Sequence, residues 1–383
     1  MSTVPAPIPQ VRPSRRPARS TSTGPDGTGK AAPLVGMDRL VDAVQTNCHI
    51  ADATQATDLS LCIYLLQMRE FYRWEQGAEP QASLPREELG AWLADREALW
   101  ASLEGREFGP IPVLGDSLDP FDTAGINARL RPHGLVYGAG LLAPGRVSFF
   151  LGDLETRAPH DEVEVLVSGC EHARGLSAPP AALAGATVLL RRESLQRWLW
   201  EKYEAWSLKS QEGAFKATLD AYGLARVGPV AAVNDMAREQ AETLILHELG
   251  EFEAGQLLGP GWHDLRGTLA SRRADLHLRA VRDHLADCLV TLPTLLKQDA
   301  AASMHFWFSN FEGVRAVLFP RLAQAYTAWC AGDGGAALRE ATAAGALHWL
   351  HQCRQLCSLH RPHGDAASAA VQALLYAPEM QLT

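Results

Sequence analysis

The residues best suited to chemistry stand in one short run, Leu246-His247-Glu248-Leu249-Gly250-Glu251. In a zincin helix, H-E-x-x-H puts two histidines one turn apart on a zinc ion, and the glutamate beside the first activates a water. Here His247 and Glu248 match, and Glu251 stands where the second histidine would be. A carboxylate at i+4 shares a helix face with position i and can bind zinc or iron. The exchange removes most of the motif's specificity, because His-Glu pairs are common on ordinary solvated helices.

The segment that follows adds donors. His277, His284 and Asp287 lie seven and three residues apart, along one helical stripe. The intervening GPGWHDLRG suits a turn between antiparallel helices. The expected site is therefore His247 and Glu251 facing His284 and Asp287, with His277 further along the same stripe. Helical bundles build metal centres in this way from inward imidazoles and carboxylates. Glu248 would be the general base on metal-bound water, giving hydrolysis at one metal ion, or oxidation if the centre is dinuclear. The Glu-x-x-His pairs of di-iron bundles are absent, although Glu201 and Glu204 on an earlier helix could complete a set. The competing reading pairs Asp283 and Asp287 with the nearby Arg272, Arg273, Arg279 and Arg282.

Three further groupings carry weaker signals. Cys353, Cys357 and His360 share a helical face that could hold a soft metal, with His348 and His351 on the other side and His363 beyond; a Cys pair at i, i+4 is more often core. In Asn47-Cys48-His49-Ile50-Ala51-Asp52 the thiol and imidazole are adjacent and so do not face each other on a helix. His49 and Asp52 could meet at i, i+3, and a helix cap is the plainer reading. The aromatic runs His305–Gly313 and Arg69–Trp74 read as core or subunit interface, so a homo-oligomer or a protein partner is the expected association. No phosphate-binding loop, dinucleotide fingerprint or G-x-S-x-G elbow occurs.

The elements that must position these residues are mainly helical. The 383 residues are 47% hydrophobic and 21% charged, a globular balance, and the net charge of -9 argues against a nucleic-acid footprint. Seven cysteines at scattered spacings fit reduced thiols in the cytoplasm, and no apolar run is long enough for a membrane span. Residues 1–35, rich in Pro, Ser, Thr and Gly with several arginines, read as a disordered basic tail. A helical region follows over 36–130, including the stripe Leu59, Cys62, Ile63, Leu66. Residues 131–192 alternate as short strands, with Pro144-Gly145 as a hairpin turn and ATVLLRR as a fourth strand, giving a small antiparallel sheet. A helical bundle spans 193–362, with one helix opening at Asn234, and 363–383 form a C-terminal tail. The fold class is α+β, mainly α.

The segments NCHIADA…LCIYLLQMREFYRWEQG and RRESLQRWLWEKYEAW resemble an uncharacterised family of bacterial cytosolic proteins, over about residues 37 to 360. The resemblance implies a bacterial cytosolic protein and supplies no activity, cofactor or catalytic residue. A metal-dependent enzyme is thus one expectation, and a non-catalytic helical scaffold is the other.

Overall fold

The computed structural model describes residues 34–143, 146–267, 269, 271–360 and 367–383. The expected basic tail (all but its last two residues), the Pro144-Gly145 turn and His363 lie outside the described residues. The chain divides into two compact units: unit 1 holds the residues up to Asp153 together with Glu171–Ala178, and unit 2 holds Leu154–Cys170 and everything from Pro179 onward.

Unit 1 begins with three helices, α1 Met37–Gln55, α2 Leu61–Glu75 and α3 Arg86–Leu103. Leu40, Val44 and Cys48 recur every four residues on α1 and bury one face of it against Ile111, Ile126, Leu130, Tyr137 and Phe149. The hairpin β1 Ile111–Val113 and β2 Asp116–Leu118 turns on Leu114-Gly115, both at positive φ. That geometry is the tight two-residue turn that matches strand twist, and glycine adopts it at little cost. Helix α4, Thr123–Leu130, precedes the strand β3, Leu135–Ala143, which pairs antiparallel with the first half of β4, Arg146–His160. Two asparagine amides act as backbone surrogates: Asn127 exchanges two 2.8 Å bonds with the Tyr137 peptide, and Asn47 does the same with Gly109. Each satisfies a buried donor and acceptor that no strand reaches.

In unit 2, β5 (Val163–Arg174, whose last residues belong to unit 1) pairs in parallel with β7 (Thr187–Arg191), and β6 (Ala181–Ala184) adds antiparallel to β7. The strand order of the sheet is β3-β4-β5-β7-β6, so the expected small sheet is present but mixed. Helices α5 Arg192–Ser207, α6 Ala214–Ala221 and α7 Leu224–Val227 lead into α8, Pro229–Leu258. Proline at the first position after Gly228 starts α8 five residues before Asn234. After α9 (Pro260–Gly267), α10 (Arg272–Ala286) runs through a π-helical turn, Asp287–Thr291, into α11 (Leu292–Lys297). In the widened turn the Leu292 amide bonds the Asp287 carbonyl, and it comes just before Pro293, which has no amide to continue the α-helical ladder. The chain closes with α12 Ala301–Phe308, α13 Val314–Leu318, α14 Pro320–Cys330, α15 Ala336–His360 and α16 Ser368–Leu375. The segment read as a C-terminal tail thus carries a helix, and its Val371 and Leu375 bury in the core with Trp262, Val281, Leu285, Phe319, Trp349 and Cys353. Each such apolar side chain contributes about 1.5–3 kcal/mol by leaving water.

Candidate metal centre

Helices α8 and α10 approach closely at one point. A Cβ on Gly250 would lie 2.4 Å from the Ala286 carbonyl oxygen, so only glycine permits the contact. The glycine inside the His-Glu-Leu-Gly-Glu run therefore sets the spacing between the two helices, and one turn of each brings its polar residues together.

Three groups converge there. One ligating atom each from His247, Glu251 and Asp283 lies within 4.8 Å of the other two. His247 Nδ1 donates to Asp287 Oδ1 at 2.9 Å, while its Nε2 faces Glu251 Oε1 at 3.7 Å. A histidine whose rear nitrogen is held by a carboxylate is the arrangement that orients imidazoles toward metals. The guanidinium of Arg282 already contacts Glu251 and lies 3.7 Å from Asp283. All three converging residues keep part of their surface open, 26% for His247, 15% for Glu251 and 23% for Asp283, so solvent reaches the site.

The electrostatics reflect a surplus of carboxylates. Burial lifts Glu248 to about 7, and the neighbouring Glu251 adds to that rise against the pull of His247 and Arg282. Burial also raises Glu251. Burial alone would depress His247, but Asp287 and then Glu251 and Asp283 outweigh it and bring it to about 10. Asp287 is held well below the carboxylate range: burial opposes ionisation, and His247 and Arg315 overcome it. Without a bound cation His247 is thus an imidazolium between carboxylates.

The expected ligands separate in a specific way. His247 and Glu251 come together, and Asp283 joins them. Asp287 stands behind His247; its oxygens accept from His247, from Trp307 Nε1 at 3.1 Å and from Arg315. His284 turns into the apolar interior: it is fully buried, stacks on Trp349 with centroids 4.8 Å apart, and donates from Nε2 to the Arg315 carbonyl at 3.0 Å. Burial, with Arg315 beside it, lowers His284 to about 3. His277 sits two turns away, bonded to the Arg273 carbonyl and edge-on to Tyr376. The side chains of α10 alternate between inward and outward faces every three to four residues, and His284 and Asp283 fall on opposite sides of that division.

The other groupings resolve as core. Cys353 and Cys357 are buried in the apolar cluster of unit 2, and His348 Nε2 donates to the Met380 carbonyl at 3.1 Å. His305 bonds Tyr326 at 2.7 Å and lies against Trp329.

Unit 1 holds a second polar concentration whose connections sequence reading missed. Arg96 donates to His49 Nε2 at 2.7 Å and makes two bonds to Glu75, at 2.6 and 2.7 Å. Trp100 Nε1 donates to His49 Nδ1 at 3.3 Å. Both ring nitrogens therefore face donors, of which a neutral imidazole accepts one. Burial, reinforced by Arg96, pushes His49 well below its usual range. Asp52 does not meet His49 but accepts the Leu176 amide at 2.9 and 3.0 Å, and burial lifts it to about 7 against that bond and Arg174. Glu70 and Arg73 pair at 2.6 Å beside Phe71, which stacks on Trp74. The signal was present as charged residues inside an apolar helix run, Arg69-Glu70-Phe71-Tyr72-Arg73-Trp74, although nothing there names Arg96 as the partner of His49.

Among the described residues no helix is long and apolar enough to cross a membrane. The N-terminal domain of a family of unknown function (DUF6866) matches residues 39–191, and the C-terminal domain of the same family matches residues 196–378. No curated protein and no solved structure matches the chain.

Proposed function

We propose that the chain, which belongs to the family of unknown function DUF6866, carries in unit 2 a divalent-metal centre of hydrolytic type. The observation that carries this reading is the convergence of His247, Glu251 and Asp283 within 4.8 Å, with the rear nitrogen of His247 fixed by Asp287. One imidazole and two carboxylates suit zinc or iron, and three protein ligands leave a position for water. Bound there, the ion would supply an acidified water. Glu248, lifted to about 7, has the proton affinity of a general base near neutrality. Arg282 holds the carboxylates in the absence of the ion and would be displaced by it.

The test is metal content after purification without a metal-affinity column, followed by calorimetric titration with zinc and ferrous iron. Wild type is expected to take up one equivalent of metal, and His247→Ala and Asp283→Asn to lose it. A folded wild type that takes up neither ion ends this reading.

A second reading is favoured by Arg282 itself. A guanidinium bridging Glu251 and Asp283 closes an ion-pair network that ties α8 to α10, as a non-catalytic scaffold or a homo-oligomer subunit would use it. Under that reading Arg282→Ala destabilises the fold, and added metal does not restore it. A cytoplasmic location accompanies both readings and is supported by the cysteines, four buried and none in a disulfide among the described residues.

A further inference from the structure

We propose that unit 2 also holds a pocket for a small amphiphilic carboxylate, independent of the metal centre, between α11, α15 and the π-helical turn. The cavity measures about 330 Å³ and is lined by Cys288, Pro293, Leu296, Lys297, Arg339, Thr342 and Ala343. That volume lies at the small end of the range in which proteins enclose metabolite-sized ligands.

The lining sorts by chemistry. Pro293, Leu296, Ala343 and the protonated thiol of Cys288, which burial holds well above its usual range, make an apolar wall. Lys297 and Arg339 are exposed, so they stand where the cavity meets solvent. Neither forms an ion pair with a carboxylate among the described residues; Arg339 makes one bond, to the Gly334 carbonyl at 2.9 Å. Two cations without acidic partners therefore stand at one opening.

The deeper residue is Thr342. It is 4% exposed, and its hydroxyl makes no hydrogen bond. A helical threonine ordinarily bonds the carbonyl one turn back, and a buried hydroxyl without a partner is costly unless something else satisfies it. A ligand oxygen would do so. Apolar walls, an unsatisfied hydroxyl and two cations at the opening describe a carboxylate on an aliphatic body.

The pocket exists because of how its walls are made. The π-helical turn carries Cys288 toward α15, where a Cβ on Gly345 would lie 2.6 Å from its sulfur. Thr342 and Arg339 lie one and two turns before Gly345 on α15, which gives that wall its polar groups.

The probe is octanoate, titrated calorimetrically into the full-length protein below its aggregation concentration, with octanol and acetate as controls. Saturable one-to-one binding of octanoate is expected, and octanol and acetate are each expected to bind at least ~10-fold more weakly. The double variant Lys297→Ala/Arg339→Ala should weaken octanoate by ~10-fold or more, and Thr342→Val by ~3-fold, with an unchanged or higher melting temperature for the latter. Ala343→Phe fills the cavity from an exposed helix position and should abolish binding while circular dichroism stays that of wild type. No saturable binding to folded wild type overturns the proposal. So does octanoate affinity that neither the charge variants nor Ala343→Phe alter, or equal affinity for octanol.

Discussion

Asp287 is almost wholly buried, and three donors occupy its two oxygens, so its part in any metal site is to hold His247 rather than to touch the ion. Replacing it with Asn keeps the shape and removes the charge. The expected outcome is a ~10–100-fold loss of zinc affinity by calorimetry, with the His247 imidazolium titrating nearer its ordinary range by NMR. Unchanged affinity would show that His247 needs no such support. In unit 1, Asp52 gives a pH prediction whose sign follows from its direction. Its carboxyl titrates at about 7 folded against 3.8 as reference. The proton therefore favours the fold: the contribution is complete below pH ~3.8 and lost as pH rises through about 7. Compared with Asp52→Asn in denaturant melts, wild type should lose ~4 kcal/mol of relative stability between pH 4 and pH 8. A difference that stays flat with pH rejects this account. His49 acts oppositely, since a depressed imidazole costs stability as pH falls below its unfolded range. His247 and Glu251 were legible as a pair because i, i+4 spacing is a property of one helix. Asp283 in place of His284 was not, because one residue of helical phase decides which of two neighbours points inward, and that phase is set by packing against Trp349 and Phe319.

At the scale of elements, the approach of α8 to α10 rests on the missing Cβ of Gly250. In an isolated helix Ala would be favoured over Gly by roughly 1 kcal/mol. Here Gly250→Ala drives a methyl into the Ala286 carbonyl, so the sign should reverse, with destabilisation of ~1–3 kcal/mol in chemical denaturation and loss of the His247–Asp287 bond. Stabilisation by the variant would mean that the helices are not in contact at that point. That these segments are helices was readable from apolar spacing, but the stripe Leu59, Cys62, Ile63, Leu66 did not mark the buried face of α2: Cys62, Ile63 and Leu66 are exposed, and Met68, Phe71 and Trp74 are buried instead. The parallel pairing of β7 on β5 was not, since alternation shows that a segment is a strand without showing its direction. The short strand Ala181–Ala184 escaped notice because an alanine-rich run has no alternation to see. Pro229 explains the early start of α8: proline fits the first helical turn, so it opens the helix ahead of the Asn234 that looked like a cap.

Across the whole molecule, the family's two halves meet between residues 191 and 196, but the packing does not divide there. Unit 2 takes Val163, Val165 and Val188 to cover Leu249, and Val167 and Leu190 to cover Leu195 and Leu199. A fragment beginning at Arg192 lacks those strands and is expected to be aggregated in size-exclusion chromatography, whereas one beginning at Leu154 should elute as a folded species with a cooperative melt. A soluble, cooperatively melting 192–383 fragment would contradict the assignment of the strands to unit 2. The chain in effect visits unit 2 with Leu154–Cys170, returns to unit 1 for Glu171–Ala178, and then leaves for good. On a ribosome this itinerary has a cost in time. Unit 1 can close soon after Ala178 emerges, but the strand made just before it must wait for Leu249 of α8 and, as far on as α12, for Phe306. At about 5–20 residues per second that wait is on the order of ten seconds or more. During it, β7 can already pair the strand's edge, but the side chains of Val163, Val165 and Val167 lack their helical cover, so the nascent chain is most exposed to wrong association, and most in need of a chaperone, midway through its own synthesis.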